Sequence, residues 1–299
     1  MRLRGNVLVL ALAFAAPAAW GQTLVKAPTE TPASNPDLSG IWWHPFLPGM
    51  EPLASGPTAL RNLSRRNGVG NYDQLVGDYT NPILQPWAAE VVRKFGELSK
   101  AGVTYPSPAN QCWPEPLPYI YKNTGLLLLQ GQHELTLLYN HEIRKVRMNA
   151  SHPATVTPSW HGDSVGHYEG DTLVIDTVGQ KRGPFAMLDL YGTPYSDKLH
   201  VVERYRVIGY EEAKDGLERN AKENQKAGGA QELDPNYRGK HLQVFFTVED
   251  PNVFTTPWSA TITYARGSNE WRESVCAENP HDYLTHRDVE VPTAATPDF

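Results

Sequence analysis

Short runs of alternating apolar and polar residues dominate the chain from residue 125 onward. In the run HLQVFFTVED (241–250), every second residue from Leu242 to Val248 is apolar and most of the others are polar. A period of two is typical of half-buried strands. Further runs of this kind, separated by turn residues, are GLLLLQ, HELTLLYN, EIRKVRMN, SVGHYE, TLVIDTVG, LHVVERYRVI and WSATITYAR. Serial strands with short links predict a mostly β fold, an antiparallel meander that closes into a barrel and so hides its edges.

Upstream of these runs, one segment has a helical period instead. Within PWAAEVVRKFGELSK (86–100), Trp87, Val91, Phe95 and Leu98 recur at intervals of three or four residues. A proline opens the run and a glycine follows shortly after it, as at many helix ends. The pattern predicts one N-terminal helix with these four residues on its buried face, set among long Pro/Gly-rich loops.

The first 21 residues have the layout of a secretory signal peptide. Two arginines precede an apolar run at 7–19, and Ala19 and Gly21 place small residues at −3 and −1 of a cleavage point before Gln22. The apolar run is shorter than the roughly 20 residues that cross a bilayer, which favours cleavage over anchorage. The chain is therefore expected in the periplasm or the extracellular medium, without stable membrane insertion.

Composition predicts how the rest of the chain is organised. Residues 22–38 are rich in Pro, Thr, Ser and Ala and are expected to form a flexible leader. Residues 39–285 are expected to form a single β-barrel domain. It includes the helix at 86–100 and a charged insertion at 211–234, which is expected to be an exposed helix or loop. Residues 286–299 are expected to form a polar tail.

Charge and motifs exclude several functional classes. A formal net charge of −6 gives no cationic surface for nucleic acid. No P-loop or GxGxxG pattern is present, so no cofactor is expected. Gly162-x-Ser164-x-Gly166 matches the letters of a hydrolase elbow, but the run that follows is a strand and not a helix. The expected partner is a small molecule, and no pattern indicates an oligomeric state.

The two cysteines, Cys112 and Cys276, lack the spacing of a redox or zinc motif. Exported chains meet oxidants, which favours a disulfide between them over two separate buried thiols. Closing a loop of about 165 residues contributes about 4 to 5 kcal/mol in the chain-entropy treatment.

Two motifs resemble known families. Gly40-x-Trp42, at the start of the meander, is similar to the first strand of lipocalin-like barrels. A longer signature resembles a family of secreted bacterial proteins of uncharacterised function over about residues 36–280. It consists of WHGDSVGHYEGDTL (160–173), ER (203–204), EDP (249–251), PW (257–258) and CAEN (276–279). The resemblance implies the lipocalin-like architecture and no reaction.

The run at 161–169 carries the main candidate chemistry. In an extended strand, His161, Asp163, His167 and Glu169 point to one side. This side either faces solvent or lines a polar cavity in which His–carboxylate pairs transfer protons. Histidine is favoured as the base because its ordinary pKa lies near 6.5. The outer two histidines would lie roughly 20 Å apart, too far for one metal ion, and no metal is expected.

Other candidates are scattered. Glu203 lies mid-strand among apolar residues, so it needs a partner or takes up a proton. Arg147 is expected either as that partner or as a clamp for a ligand carboxylate. An internal ion pair and a reserve catalytic acid both stay open for Glu203. The residues expected to bind substrate are Trp43, Arg147, Trp160, Tyr168 and Trp258. The loop at 179–198 is long enough to be a functional lid.

Two functions fit these features. The first is an exported enzyme that performs general acid/base chemistry on a small, partly apolar or aromatic molecule in the barrel cavity, by isomerisation, elimination or hydrolysis. Its expected catalytic residues are His161, Asp163, His167, Glu169 and Glu203. The alternative is a non-catalytic lipocalin-like binding protein for a small hydrophobic ligand. The many charged strand positions favour the enzyme, whereas an apolar lumen with those charges outside would favour the carrier.

The sequence predicts both compartment and crosslink. We expect the exported protein to begin near Gln22 and to contain a Cys112–Cys276 disulfide. Mass spectrometry of the unreduced protein measures both. A retained Met1 segment would contradict export, and two free thiols would contradict the crosslink.

Overall fold

The alternating runs form strands that pair around a ring. In the computed structural model the strands are β1 (Gly40–Trp43), β2 (Glu51–Pro52), β3 (Arg65–Arg66), β4 (Val69–Gly70), β5 (Gly125–Gln130), β6 (Glu134–Tyr139), β7 (Glu142–Met148), β8 (Asp163–Glu169), β9 (Thr172–Val178), β10 (His200–Ile208), β11 (His241–Glu249), β12 (Trp258–Arg266), β13 (His281–Asp282) and β14 (Arg287–Asp288). The helices are α1 (Pro86–Lys100) and α2 (Tyr210–Glu223), with 3-10 turns at Ala109–Gln111 and Tyr119–Lys122.

The structure describes residues 35–44, 50–71, 73–223, 234, 236–267, 270–271, 275–276, 281–282 and 287–288. The expected signal peptide, most of the expected leader, the end of the charged insertion and most of the tail therefore lie outside the described residues. Where the described chain begins, Leu38 is fully buried and its carbonyl accepts a 2.8 Å hydrogen bond from Trp42 Nε1. The apolar side chain of Leu38 packs into the core.

Nine strands close the barrel. The order is β1, β5, β6, β7, β8, β9, β10, β11, β12, and β12 returns to pair with β1, with Trp42 opposite Arg266. The short strand β2 adds to β12 outside this ring. A mostly β fold with a closed barrel, including a first strand at Gly40–Trp43, is confirmed, and the ring is compatible with a lipocalin-like barrel.

One pair of strands departs from the predicted meander. β7 and β8 are parallel, with Arg147 opposite Val165, whereas the other neighbouring pairs in the ring are antiparallel. Parallel neighbours need a long crossover instead of a hairpin, and the 14-residue loop 149–162 provides it. The sequence showed turn residues at this point but not the direction in which the next strand returns.

The helix α1 occupies the predicted range but buries a different face. Its buried residues are Ala88, Val92, Phe95 and Gly96. Trp87, Val91 and Leu98 are 49%, 38% and 37% exposed. Of the four predicted face residues, only Phe95 is buried, so the prediction was wrong for the other three. The neighbouring face carries small residues that permit a close approach: a side chain at Gly96 would lie 3.0 Å from Val76 Cγ1.

The charged insertion and the two cysteines can be compared with their predictions. The charged insertion begins with the helix α2, and a helix was one of its two expected forms. Cys112 and Cys276 form a disulfide with a Cα–Cα distance of 5.5 Å, which confirms the predicted pair. Among the described residues, no helix is both long and apolar enough to cross a membrane.

A buried ion pair lies inside the barrel. Arg144 of β7 and Glu203 of β10 are 1% and 0% exposed and form a bidentate contact, with Nη1 2.8 Å from Oε1. Arg144 Nη2 also donates to Thr177 Oγ1 at 2.7 Å, and its Nε donates to Ser164 Oγ at 3.2 Å. Burial would lower the pKa of Arg144, but the Glu203 carboxylate outweighs burial and raises it.

Tyrosines complete the coordination of this carboxylate. Tyr205 donates to Glu203 Oε1 at 2.7 Å, and Tyr121, from the 3-10 turn at 119–122, donates to the same oxygen. The Tyr139 hydroxyl lies 3.3 Å from that of Tyr205. Burial, followed by the nearby Glu203 charge, raises the pKa of Tyr121 and Tyr205 well above 10, so both remain neutral donors. We call these four residues and Arg144 the barrel network.

We expect Arg144→Met to lower the free energy of unfolding by about 3–5 kcal/mol, because it leaves a buried carboxylate without its counter-charge. The matched control is Arg147→Met. It removes an ion pair whose side chains are 46% and 23% exposed and should cost less than about 1 kcal/mol. Urea unfolding of both variants measures the difference, and equal losses would contradict a dominant role for the buried pair.

Candidate functional site

A cavity of about 410 Å³ lies beside the barrel, formed by α1, loops and 3-10 turns instead of barrel strands. Its apolar lining consists of Leu75, Phe95, Val103, Tyr105, Tyr119, Met187 and Leu190, with Ala109 and Gly102 between them. Its polar lining consists of Asp73, Ser99, Thr104, Ser107, Asn110 and Lys122. We call this space the α1 cavity.

The helix provides one wall of the α1 cavity. Phe95 and Ser99, one turn apart, face it. The Phe95 ring packs directly against Gly192, where an added Cβ atom would lie 2.3 Å from the ring. Gly192 also has a φ of +76°, a region that favours glycine. Close approach and backbone conformation therefore both require glycine at this position.

The long loop between β9 and β10 provides a second wall. Met187 and Leu190 line the cavity, and both are at least nine-tenths buried. Asp189 organises the turn between them and Thr193: its carboxylate accepts from Tyr191 N at 2.9 Å and from Thr193 Oγ1 at 2.6 Å. The loop predicted as a functional lid thus contributes two residues to the wall of the cavity.

The mouth of the cavity is lined by exposed apolar side chains. Val103 and Tyr105 are 50% and 43% exposed and follow the end of α1. The Tyr105 ring lies 4.7 Å from the Phe95 ring, between centroids. Exposed apolar groups at the edge of a concave site are typical of a place where a ligand enters.

The polar end of the cavity is Lys122, at the end of the 3-10 turn that also carries Tyr121. Its Nζ lies 2.9 Å from Glu115 Oε1 and donates to Asn123 Oδ1 at 3.0 Å. The side chains of Lys122 and Glu115 are 13% and 0% exposed. Asn123 Nδ2 donates to the other Glu115 oxygen at 2.6 Å, which fixes the carboxylate.

A second buried carboxylate lies behind this pair. Glu142 Oε1 accepts from Glu115 N at 3.2 Å, and Glu142 Oε2 lies 2.9 Å from His161 Nε2. His161 was expected to act with the other residues of 161–169. The structure instead places it before β8, beside Glu142 and one-fifth exposed.

The side chains of Asp163, His167 and Glu169 lie on the outside of the barrel. Ser164, the residue after Asp163, points inward to Arg144, so the residues that alternate with it point outward. Asp163 accepts from Arg147 Nη2 at 2.7 and 2.8 Å, whereas His167 and Glu169 pair with each other and are 52% and 55% exposed. Of the two readings of this face, the structure places it towards solvent.

Arg147 is therefore not the partner of Glu203. Arg144, three residues earlier, takes that place, because alternation directs residues 142, 144 and 146 inward and residues 143, 145 and 147 outward. Glu203 has the internal ion pair that the sequence left open as one of two roles.

An alternating row of acids and histidines crosses this outer face. His152, in the crossover loop, has Nδ1 2.6 Å from Asp163 and Nε2 3.2 Å from Asp176. His200 Nε2 lies 3.0 Å from the same Asp176 oxygen, and its Nδ1 lies 3.9 Å from Glu249. The contact with His200, strengthened by that with His152, lowers the pKa of Asp176, and Asp176 raises the pKa of His200. In the part of the chain that the structure describes, no group of three or more such side chains could hold a metal ion.

The residues expected to bind substrate are dispersed. Trp43 lies 6.1 Å from Trp271, and Trp160 packs edge-on against Trp113 at 5.3 Å. The Tyr168 hydroxyl accepts from Gln130 at 2.7 Å, and burial raises its pKa. Trp258 is 3% exposed and packs in the core against Phe246 and Phe254. Arg147, the fifth of these residues, lies on the outer face. None of the five lines the α1 cavity.

Sequence reasoning missed the residues that form the α1 cavity. Phe95 and the 179–198 loop carried a signal, through helical period and loop length. Lys122 and Glu115 carried none, because their pairing depends on how the Pro-rich segment 104–118 turns back on itself.

A second cavity, of about 550 Å³, is lined by residues 56–58, 61, 78, 81–83 and 255–256, with Ile83 as its one large aliphatic side chain.

Comparison of the chain with protein-family models, with curated proteins and with solved structures finds no match.

The row of acids and histidines predicts a pH dependence of stability. A raised pKa of His200 stabilises the fold below its ordinary value of 6.5, and this is lost as pH rises through the raised pKa. A lowered pKa of Asp176 stabilises the fold above 3.8, and this is lost as pH falls through the lowered pKa.

We therefore expect His200→Gln to lower the free energy of unfolding at pH 5 by less than about 1 kcal/mol, since the pair is partly exposed. The deficit should shrink above pH 6.5. His167→Gln, at a more exposed pair, is the control and should change less. Urea unfolding from pH 4.5 to 8 measures both, and a deficit that grows with pH would overturn the assignment.

Proposed function

We propose that this protein is an exported binding protein that holds a small, largely apolar or aromatic molecule in the α1 cavity. The observation that carries the proposal is the cavity itself, an open space of about 410 Å³ lined by seven large apolar or aromatic side chains and by six polar ones. Ligand sites have typical volumes of about 300–1,000 Å³ and are mostly apolar with a few convergent polar groups. The second cavity, with one large aliphatic side chain, suits such a ligand less well.

The distribution of ionisable groups supports binding over acid/base catalysis. The residues expected to be catalytic lie in three places: Glu203 inside the barrel, His161 beside Glu142, and the others on the outer face. A general acid or base must reach the atom it protonates within hydrogen-bond distance. The five residues do not converge on one enclosed space, and none of them lines the α1 cavity.

The lipocalin-like resemblance of the sequence supports a barrel architecture, but it does not support a ligand site inside the barrel. A lipocalin holds its ligand within the barrel. Here the inward positions carry large, fully buried side chains, including Arg144, Tyr139 and Tyr205. A ligand site beside the barrel therefore fits the packing better than one inside it.

The disulfide supports export. Stable disulfides belong to oxidising compartments, and the Cys112–Cys276 pair is consistent with one. Cys112 directly follows the 3-10 turn Ala109–Gln111, whose first residue lines the α1 cavity. In such a compartment the crosslink would hold one wall of the ligand site.

We expect Val103→Trp to weaken binding of an apolar, polarity-sensitive naphthalene fluorophore at least tenfold, because the larger side chain fills the mouth of the cavity. The control is Ile143→Trp, which adds the same group at a 57% exposed position on the barrel exterior and should leave affinity within twofold. Fluorescence titration measures both. Undetectable binding to the parent protein, or equal effects of the two variants, would count against this function.

A further inference from the structure

We infer that the ligand of the α1 cavity is an uncharged molecule with a hydrogen-bond acceptor, such as a ketone, ester or amide carbonyl on an aromatic body, and that Lys122 donates to that acceptor. This inference rests on the proposed function and specifies the chemistry of its ligand. It depends on how Lys122 is held and on which charges surround it.

Of the residues that the structure describes around the cavity, Lys122 is the one cationic donor. An ammonium group has three N–H bonds. Among the described residues, Asn123 Oδ1 is its hydrogen-bond acceptor at 3.0 Å, and Glu115 Oε1 is its ion-pair partner at 2.9 Å. Its Nζ also lies 5.6 Å from the centre of the Tyr119 ring. Since Lys122 and Tyr119 both line the cavity, an acceptor on a bound ligand would add a further hydrogen bond to this ammonium.

The charge of Lys122 is already balanced. Glu115 is fully buried and adjacent, so the pair has no net charge. Glu142, 9% exposed, accepts from the backbone of Glu115 and is a second carboxylate there, with His161 Nε2 at 2.9 Å and His141 Nε2 at 3.5 Å. An anionic ligand would bring another carboxylate into a poorly solvated region that holds two. A dipolar carbonyl gains the Lys122 hydrogen bond without that repulsion.

Two hydroxyl groups in the wall of the α1 cavity can also donate to an acceptor on a ligand. Ser99 Oγ accepts from Leu75 N at 2.8 Å, and Ser107 Oγ accepts from Asn110 N at 3.4 Å. Each of these hydroxyls therefore keeps a proton that can be donated to a ligand, together with a second lone pair. The Asn110 side chain is used locally, by Ser107 N and the Tyr105 carbonyl. Ser99 and Ser107 can therefore add donors to the one at Lys122, whereas the Asp73 side chain, which is 69% exposed, contributes acceptors.

Three probes of nearly equal shape separate these alternatives: 2-acetylnaphthalene, 2-naphthoate and 2-ethylnaphthalene. They share the aromatic body and differ in carrying a neutral acceptor, an anion or no polar group. By isothermal titration at pH 7.5, we expect the ketone to bind at least tenfold more tightly than the carboxylate and about fivefold more tightly than the hydrocarbon.

Two variants assign this selectivity to the pair. Lys122→Met should reduce the ketone to the affinity of the hydrocarbon and leave the hydrocarbon within twofold. Glu115→Gln should leave the ketone within threefold but tighten 2-naphthoate at least tenfold, because Lys122 then carries an unbalanced charge. Thermal unfolding of each variant establishes that it is folded, and if Glu115→Gln does not fold, the ranking of the three probes on the parent protein decides.

The outcomes distinguish the two proposals. If none of the probes binds, or if Val103→Trp affects none of them, the proposed function fails. If all three bind equally, or 2-naphthoate binds most tightly to the parent protein, the binding function stands and the inference about a neutral acceptor is overturned. If Glu115→Gln is folded and does not improve 2-naphthoate binding, charge balance by Glu115 is refuted.

Discussion

The fold depends on one buried contact, the bidentate pair between Arg144 and Glu203 inside the barrel. Two opposite charges without access to water are tolerated only if their remaining hydrogen-bonding capacity is met. Here Ser164, Thr177 and two tyrosine hydroxyls meet it. The pair and these partners together come from β7, β8, β9, β10 and the turn at 119–122. A single charge pair therefore fixes the relative positions of four consecutive strands and the turn that carries Tyr121.

That turn connects the barrel core to the candidate site. Within four residues it places Tyr121 on Glu203 and directs Tyr119 and Lys122 to the α1 cavity. The barrel interior is occupied by large side chains, and the α1 cavity lies where α1, the 102–110 loop and the 179–198 loop meet beside it. The turn at 119–122 thus links the position of Lys122, and with it one part of this cavity, to the contact inside the barrel core.

The sequence predicted features that depend on local period and failed on those that depend on long-range pairing. Serial alternating runs such as Leu242–Val248 were sufficient to predict the barrel, and the spacing at 86–100 was sufficient to predict α1. The buried face of α1 was mistaken because Trp87 and Leu98 are large and apolar, whereas tight packing selected Ala88 and Gly96. The partner of Glu203 was misassigned because Arg144 and Arg147 lie on the same strand, and only strand orientation distinguishes them. Glu115 and Lys122 gave no signal, because an ion pair across an irregular segment has no period.

The separation of the α1 cavity from the barrel strands has an evolutionary consequence. Loops tolerate substitution far better than packed cores do, and substitutions at sites without shared contacts add nearly independently. Val103 and Tyr105 are about half-exposed and lie in a loop outside the barrel strands, so substitutions there are expected to leave Arg144 and Glu203 undisturbed. A lineage that keeps the barrel network can therefore change the lining of the α1 cavity through its loops alone.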